Sequence, residues 1–221
     1  MRTKGRIILV CVFLIASLSV SAQQIGIRGG VNMSNEIKSF EREEINNSFK
    51  SENLNSFHVG VVFQYHQKKN PALGFEVGAL LAQKGSAFNY ENVEGENLIE
   101  TIQKGYREVN FIEIPLNLRF RFSLGIAGIY GFGGMYGAYA LGGKTVGEAT
   151  DEISKMSFGE FSDRLDFGYS FGLGVELLRK LQLGATWSRG LKNTAQPSSE
   201  NPTEPTDSKF KVFSVNLTFL F

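Results

Sequence analysis

Strict alternation of apolar with small or polar residues recurs along this chain, and it limits the fold more than any other feature. Its clearest instance sets Leu165, Phe167, Tyr169, Phe171, Leu173, Val175 and Leu177 against Asp166, Gly168, Ser170, Gly172, Gly174 and Glu176. A strand sends successive side chains to opposite faces, whereas a helix would scatter these apolar groups around its axis. The same period predicts eight strands, near residues 24–33, 56–66, 72–84, 108–122, 126–141, 164–177, 181–190 and 210–221. The fold class is therefore all-β.

Four long polar connections, about 34–55, 85–107, 142–163 and 191–209, alternate with three short ones at Gln67 to Pro71, Ser123 to Gly125 and Arg179 to Lys180. That rhythm is an up-and-down meander with long loops at one end and tight turns at the other, the pattern of an eight-stranded antiparallel transmembrane barrel. A soluble lipocalin-like barrel would show the same alternation with the apolar face inward. The opposite face decides. Gly60, Gly78, Gly168, Gly172, Gly174, Gly184, Ser170 and Ser188 would make a poor water-exposed face, where glycine only weakens a strand, but they suit a cramped lumen. Strands of these lengths match a tilted membrane crossing. Phe63, Tyr65, Phe75, Phe120, Phe122, Tyr130, Phe132, Phe219 and Phe221 then read as an aromatic girdle at the short-turn end.

The chain opens with an address. Arg2, Lys4 and Arg6 precede an apolar run from Ile7 to Val20, and Val20-Ser21-Ala22 supplies small residues for a signal peptidase. Fourteen residues are too few to span a bilayer core as a helix, and Val10 does not fit a lipobox before Cys11. Residues 1–22 are expected to be removed as a signal peptide, leaving residues 23–221 as one barrel domain with periplasmic termini in the outer membrane. Loss of Cys11 and three basic residues leaves 20 basic against 22 acidic groups and no thiol. Thiolate catalysis, thiolate metal sites and disulfides are thereby excluded from the mature chain. The whole chain carries 23 basic and 22 acidic residues, a net charge of +1 that gives no field for nucleic acid.

Five segments carry a resemblance. Ile25-Gly26-Ile27-Arg28-Gly29-Gly30-Val31-Asn32-Met33-Ser34, Phe57-His58-Val59-Gly60-Val61, Gln83-Lys84-Gly85, Phe111-Ile112-Glu113-Ile114-Pro115-Leu116 and Trp187-Ser188-Arg189-Gly190-Leu191-Lys192-Asn193 resemble, in order, strands of the PorT-like outer-membrane β-barrel family. The resemblance implies insertion by the outer-membrane assembly machinery, which would read the C-terminal strand with Phe219 and Phe221 as its signal. One branch of that family is tied to the type nine secretion system, and most members have no assigned activity.

Candidate site residues follow from the polar parity. Arg28, Glu76, Glu113, Arg119, Arg121 and Glu176 are expected to face the lumen, three charges of each sign, and to pair into a network that fills the barrel. Glu76 is expected to pair with Arg119 or Arg121 on the next strand. His58 and His66 share this parity, but eight residues at about 3.3 Å hold them roughly 26 Å apart, too far for one metal ion. A His-dependent lipid hydrolase would need a lipid-facing His, which the parity denies. Pro115 removes a ladder donor and should mark a bulge or local break. Residues 34–55 and the next two long loops are rich in Glu and Asp, among them Glu36, while Lys68, Lys69, Arg179 and Lys180 sit at the short turns. Acidic loops could bind a divalent cation or a surface partner.

The reading is of an integral outer-membrane protein with a structural or surface-binding role. Lipid and the assembly machinery are its expected partners, and no catalytic, cofactor or metal residue is assigned. An accessory role in protein export and a lipid-modifying enzyme are the alternatives.

Overall fold

The computed structural model describes residues 23–39, 49–67, 72–90, 104–147, 153–155, 161–192 and 207–221. Eight long strands close a ring: β1 (Gln23–Ser39), β2 (Phe49–His66), β3 (Leu73–Tyr90), β4 (Lys104–Leu124), β5 (Ala127–Gly147), β7 (Leu165–Leu177), β8 (Leu181–Gly190) and β9 (Asp207–Leu220). A three-residue strand, β6 (Ile153–Lys155), pairs only with the far end of β5. Every neighbour is antiparallel, and β9 returns to β1 from Gly26↔Leu220 to Ser39↔Asp207. With no free edge, all backbone groups along the ring can pair within the protein, the condition for crossing lipid. The expected leader, residues 1–22, lies outside the described residues.

The protein is inside out relative to a soluble barrel. Arg28, Asn32, Gln64, Glu76, Asn117 and Arg119 are buried, while Ile25, Ile27, Val31, Val61, Leu81, Leu116 and Phe120 on the same strands are exposed. Apolar side chains therefore cover the outer wall, and the polar parity lines the interior. Arg28, Glu76, Glu113, Arg119, Arg121 and Glu176 all lie on that inner face.

Two expectations need correction, and one turn has an unexpected composition. First, the strands run further than the sequence predicts at the long-connection end: β1 continues to Ser39, β2 begins at Phe49, β3 reaches Tyr90, β4 begins at Lys104 and β5 ends at Gly147. Beyond the apolar band polar residues interrupt both faces, so the hydrophobic period fades while the ladder continues. Glu36 and Arg107 consequently belong to the wall and point inward, not to solvated loops. Second, Tyr130 and Phe132 do not join the girdle; they are 3% and 8% exposed and face the lumen. Strand β5 carries Tyr130, Phe132 and Tyr136 inside and Gly131, Gly133, Gly137 and Tyr139 outside. Room for the rings comes from glycines opposite: a Cβ at Gly172 would come within 2.5 Å of Phe132, and one at Gly184 within 2.6 Å of the Tyr130 hydroxyl. The turn after β7 includes Leu178 and Arg179 in the left-handed region, at φ 54° and 58°. Lys180 N–H donates to the Leu177 carbonyl at 3.0 Å, which makes a tight hairpin turn of the kind that usually selects Asn-Gly.

Pro115 marks a break rather than a bulge. The β3–β4 ladder passes from Val77↔Leu116 to Leu80↔Glu113 in constant register, skipping the pairs opposite Ile114 and Pro115. Bulges lie instead between Asn53 and His58 in β2–β3 and between Asn110 and Phe111 in β4–β5. The second bulge reverses the parity of β5, so Lys144 faces outward opposite Glu108.

Candidate functional site

The interior is built in layers. At the short-turn end Glu76, fully buried, is the hub. Arg28 meets it bidentately, Nη1 donating to Oε1 at 2.8 Å and Nη2 to Oε2 at 2.7 Å. Arg119 Nη1 donates to Oε2 at 2.6 Å, Gln64 Nε2 to the same oxygen at 2.7 Å, and Asn117 Nδ2 to Oε1 at 3.3 Å. Gln182 extends the layer by accepting from Gln64 at 2.9 Å and donating to Glu176 Oε2 at 2.7 Å, where Arg121 also donates to Oε1 at 3.2 Å. Arg28 Nε reaches Thr218 at 2.8 Å, and the Arg119 guanidinium stacks 4.2 Å from the centre of the Tyr130 ring. Each of the eight barrel strands contributes a side chain: β1 Arg28, β2 Gln64, β3 Glu76, β4 Arg119, β5 Tyr130, β7 Glu176, β8 Gln182 and β9 Thr218. Charge-assisted bonds are the strong class, and here they join strands that are not ladder neighbours, β1 to β3 and β4 to β7.

A second layer centres on Lys84. Its Nζ lies 2.5 Å from Glu113 and 3.5 Å from Asp166, and 4.2 Å from the centre of the Tyr136 ring, whose hydroxyl donates to Asp166 at 3.2 Å. Val109, Phe111, Ala138, Ala140, Phe210 and Val212 pack around it as an apolar cluster. Arg107 and Glu36, 2.8 Å apart, form a third layer, with Ser86 donating to Glu36 at 3.3 Å. Between the first two layers lies a cavity of about 50 Å³. Asn32 lines it and accepts from Ser214 at 2.8 Å, with His58 Nδ1 2.8 Å from the same oxygen.

The layers are charged unequally. Three arginines meet two glutamates in the first, and one lysine meets two carboxylates in the second. The surplus cation of one is matched by the surplus acid of the next, so the two layers together are balanced among the described residues. Of the six residues singled out from sequence, Arg28, Glu76 and Arg119 form one cluster and Arg121 and Glu176 an adjoining pair. Glu113 stands apart from them, on a lysine. Lys84, Asp166, Glu36 and Arg107 were not in the set, although each continues a parity already assigned: Lys84 that of Glu76, Asp166 that of Glu176, Glu36 that of Arg28 and Arg107 that of Arg119. Carrying the alternation to the strand ends would have found them. Among the described residues no three His, Cys, Asp or Glu side chains converge in a way that would hold a metal ion.

A family model described as outer membrane protein beta-barrel domain matches residues 19–196. The chain belongs to this family. Like other outer-membrane barrels it is an all-antiparallel closed cylinder of eight strands, with the apolar face turned to lipid. Among solved structures this outer-membrane barrel is similar to Ail, the attachment invasion locus protein of Yersinia pestis, with 14% identity, 90% of this chain and 99% of that one covered and a TM-score of 0.45. It is also similar to the outer membrane protein OprG of Pseudomonas aeruginosa, at 13% identity, 90% and 96% coverage and a TM-score of 0.48. The outer membrane protease OmpT of Escherichia coli is a third neighbour, at 10% identity, 93% and 99% coverage and a TM-score of 0.36. No match is found among curated proteins.

Proposed function

We propose that this outer-membrane barrel is non-catalytic and serves a structural or surface-binding role, with a lumen filled by side chains and both termini in the periplasm. The observation that carries the reading is the Glu76 layer, to which all eight strands contribute. Its carboxylates are engaged by arginines and amides rather than free to act as a base, and His58 contacts an amide rather than an acid or an activated nucleophile. Termini beside the short turns support the periplasmic assignment, since barrels of this kind keep short turns inside and long loops outside. The acidic residues of the long connections would then face the medium, where a divalent cation or a surface partner could meet them.

Purified protein in planar bilayers is expected to show no steady conductance, and a large steady ion current would overturn the filled-lumen reading. In a deletion strain, unchanged secreted proteins and unchanged lipid A composition are expected; loss of either would move the assignment to export or to lipid modification.

Assembly supplies a further expected result. Phe219 and Phe221 project outward, 46% and 66% exposed, at the end of the closing strand. Their rings meet edge to face at 5.4 Å. Deleting Phe221 should lower the amount of inserted protein several-fold, read as the heat-modifiable band in outer-membrane fractions. Normal insertion of the truncated chain would remove Phe221 from the assembly signal.

A further inference from the structure

The outer wall changes chemistry at a defined height near the long connections. On β1 to β4 the outward apolar residues Met33, Phe57, Leu81 and Ile112 are followed by Asn35, Asn55, Gln83 and Asn110, all amides, with Ile37 exposed beyond Asn35 on β1. On β8 and β9 the corresponding steps are from Trp187 to Arg189 and from Phe213 to Lys211. These two exposed cations are direct cross-strand partners, Arg189↔Lys211, and like charges so placed repel. Among the described residues neither has an acidic partner: the flanking positions in register are Tyr169 and Asn35. The contrast with the opposite wall is direct, because the outward cation there, Lys144, sits 3.2 Å from Glu108.

Beneath the pair lies an aromatic floor. Trp187 stacks on Phe171 at 5.8 Å between ring centres and leans on Phe213 at 5.0 Å. Together with Met33, Tyr169 and Asn35 these residues line a groove that opens to the outside of the barrel. Large aromatics at this level mark the membrane boundary, where the phosphate groups of lipids lie. An apolar floor for an acyl chain, and two cations above it without an acidic partner among the described residues, match a lipid whose headgroup carries a phosphate.

We propose that Arg189 and Lys211 bind a phosphate of the outer-leaflet glycolipid, with its acyl chain against Trp187 and Phe171. The choice of leaflet rests on the orientation proposed above, which puts the long connections outside. Orientation can be read separately, because the mature sequence has no cysteine: S162C, in the exposed turn Phe161–Arg164, should be labelled by an impermeant thiol reagent on intact cells.

Native mass spectrometry of the full mature protein tests the site, using bisphosphorylated lipid A, its dephosphorylated form and phosphatidylglycerol as probes. Wild type should retain lipid A, the dephosphorylated form should bind at least several-fold less, and R189Q/K211Q should lower lipid A retention about tenfold. E108Q/K144Q should retain it as wild type does. Both side chains are on the outer surface, and heat-modifiable migration checks folding; the single variants R189Q and K211Q give the same reading should the double variant fold poorly. Equal retention of lipid A by R189Q/K211Q, or equal binding of the dephosphorylated form, would overturn the site. A preference for phosphatidylglycerol lost in the same variant would overturn the glycolipid assignment. Protection of S162C on intact cells would instead refute the orientation.

Discussion

Replacing Glu76 by Ala is expected to destabilise the barrel by about 3–5 kcal/mol, because it strands two buried guanidiniums at once. Urea unfolding from lipid vesicles or detergent, followed by tryptophan emission and heat-modifiable migration, would measure it. The two arginines are not equivalent. Arg28 gives both terminal nitrogens to Glu76. Arg119 keeps the Tyr130 ring at 4.2 Å and a weaker bond to Gln182 at 3.4 Å when the carboxylate is gone. Removing Arg28 in the E76A background should therefore recover more of the loss than removing Arg119. Arg121, which sits on Glu176, should combine with E76A almost additively and serves as the control. Additive behaviour for both Arg28 and Arg119 would show that the layer is hydrated group by group rather than coupled.

The second large effect is expected at Gly174. A Cβ there would overlap the Leu183 carbonyl and come within 2.5 Å of Tyr130 Cζ, so Gly174→Ala forces both the β7–β8 ladder and the ring to move. A loss of about 1–3 kcal/mol is expected from overpacking, toward the upper end because one of the two clashes is with backbone. Truncating Tyr130 to Ala in the same chain should relieve the side-chain part, so the double variant should be more stable than the two single losses predict. A G174A barrel as stable as wild type would mean that the lumen has slack that the side-chain geometry does not suggest.

How much of this was legible in the sequence depended on where each strand stops. β7 and β8 are bounded by tight turns at one end and lose their apolar parity sharply at the other, and the expected limits 164–177 and 181–190 match Leu165–Leu177 and Leu181–Gly190. β1 to β5 continue past the apolar band, where residues such as Asn35, Ser51, Ser86 and Lys144 give no hydrophobic signal. Pairing alone sustains those extensions, and pairing is a property of neighbours that no single segment displays. The misassigned rings of β5 fail for a related reason. Tyr130 and Phe132 are large and apolar, so hydrophobicity sends them outward. What turns them in is space left by Gly172, Gly174 and Gly184 on other strands, together with the Arg119 guanidinium that lies over both rings, nearer to Tyr130. The inner charges were readable as a set because parity assigns a face; their partners were not, because Arg28 reaches past β2 to Glu76 and Lys84 draws Glu113 and Asp166 from two further strands.

The strand extensions have a consequence for reach. On β4 the outward apolar positions run from Ile112 to Leu124, and the residues from Lys104 to Phe111 continue the same wall toward the long connections. Eight residues at about 3.3 Å, tilted as barrel strands are, add roughly 20 Å of height. β3 and β5 rise beside β4, paired to it as far as Asn89↔Lys104 and Gly105↔Gly147. Under the proposed orientation the barrel stands out of the membrane as a stiff turret, and the ends of β3, β4 and β5 at Tyr90, Lys104 and Gly147 are carried clear of the lipid headgroups. A partner too bulky to approach the bilayer surface could still engage them, and the pull of such a partner would be borne by a hydrogen-bonded cylinder rather than by slack chain.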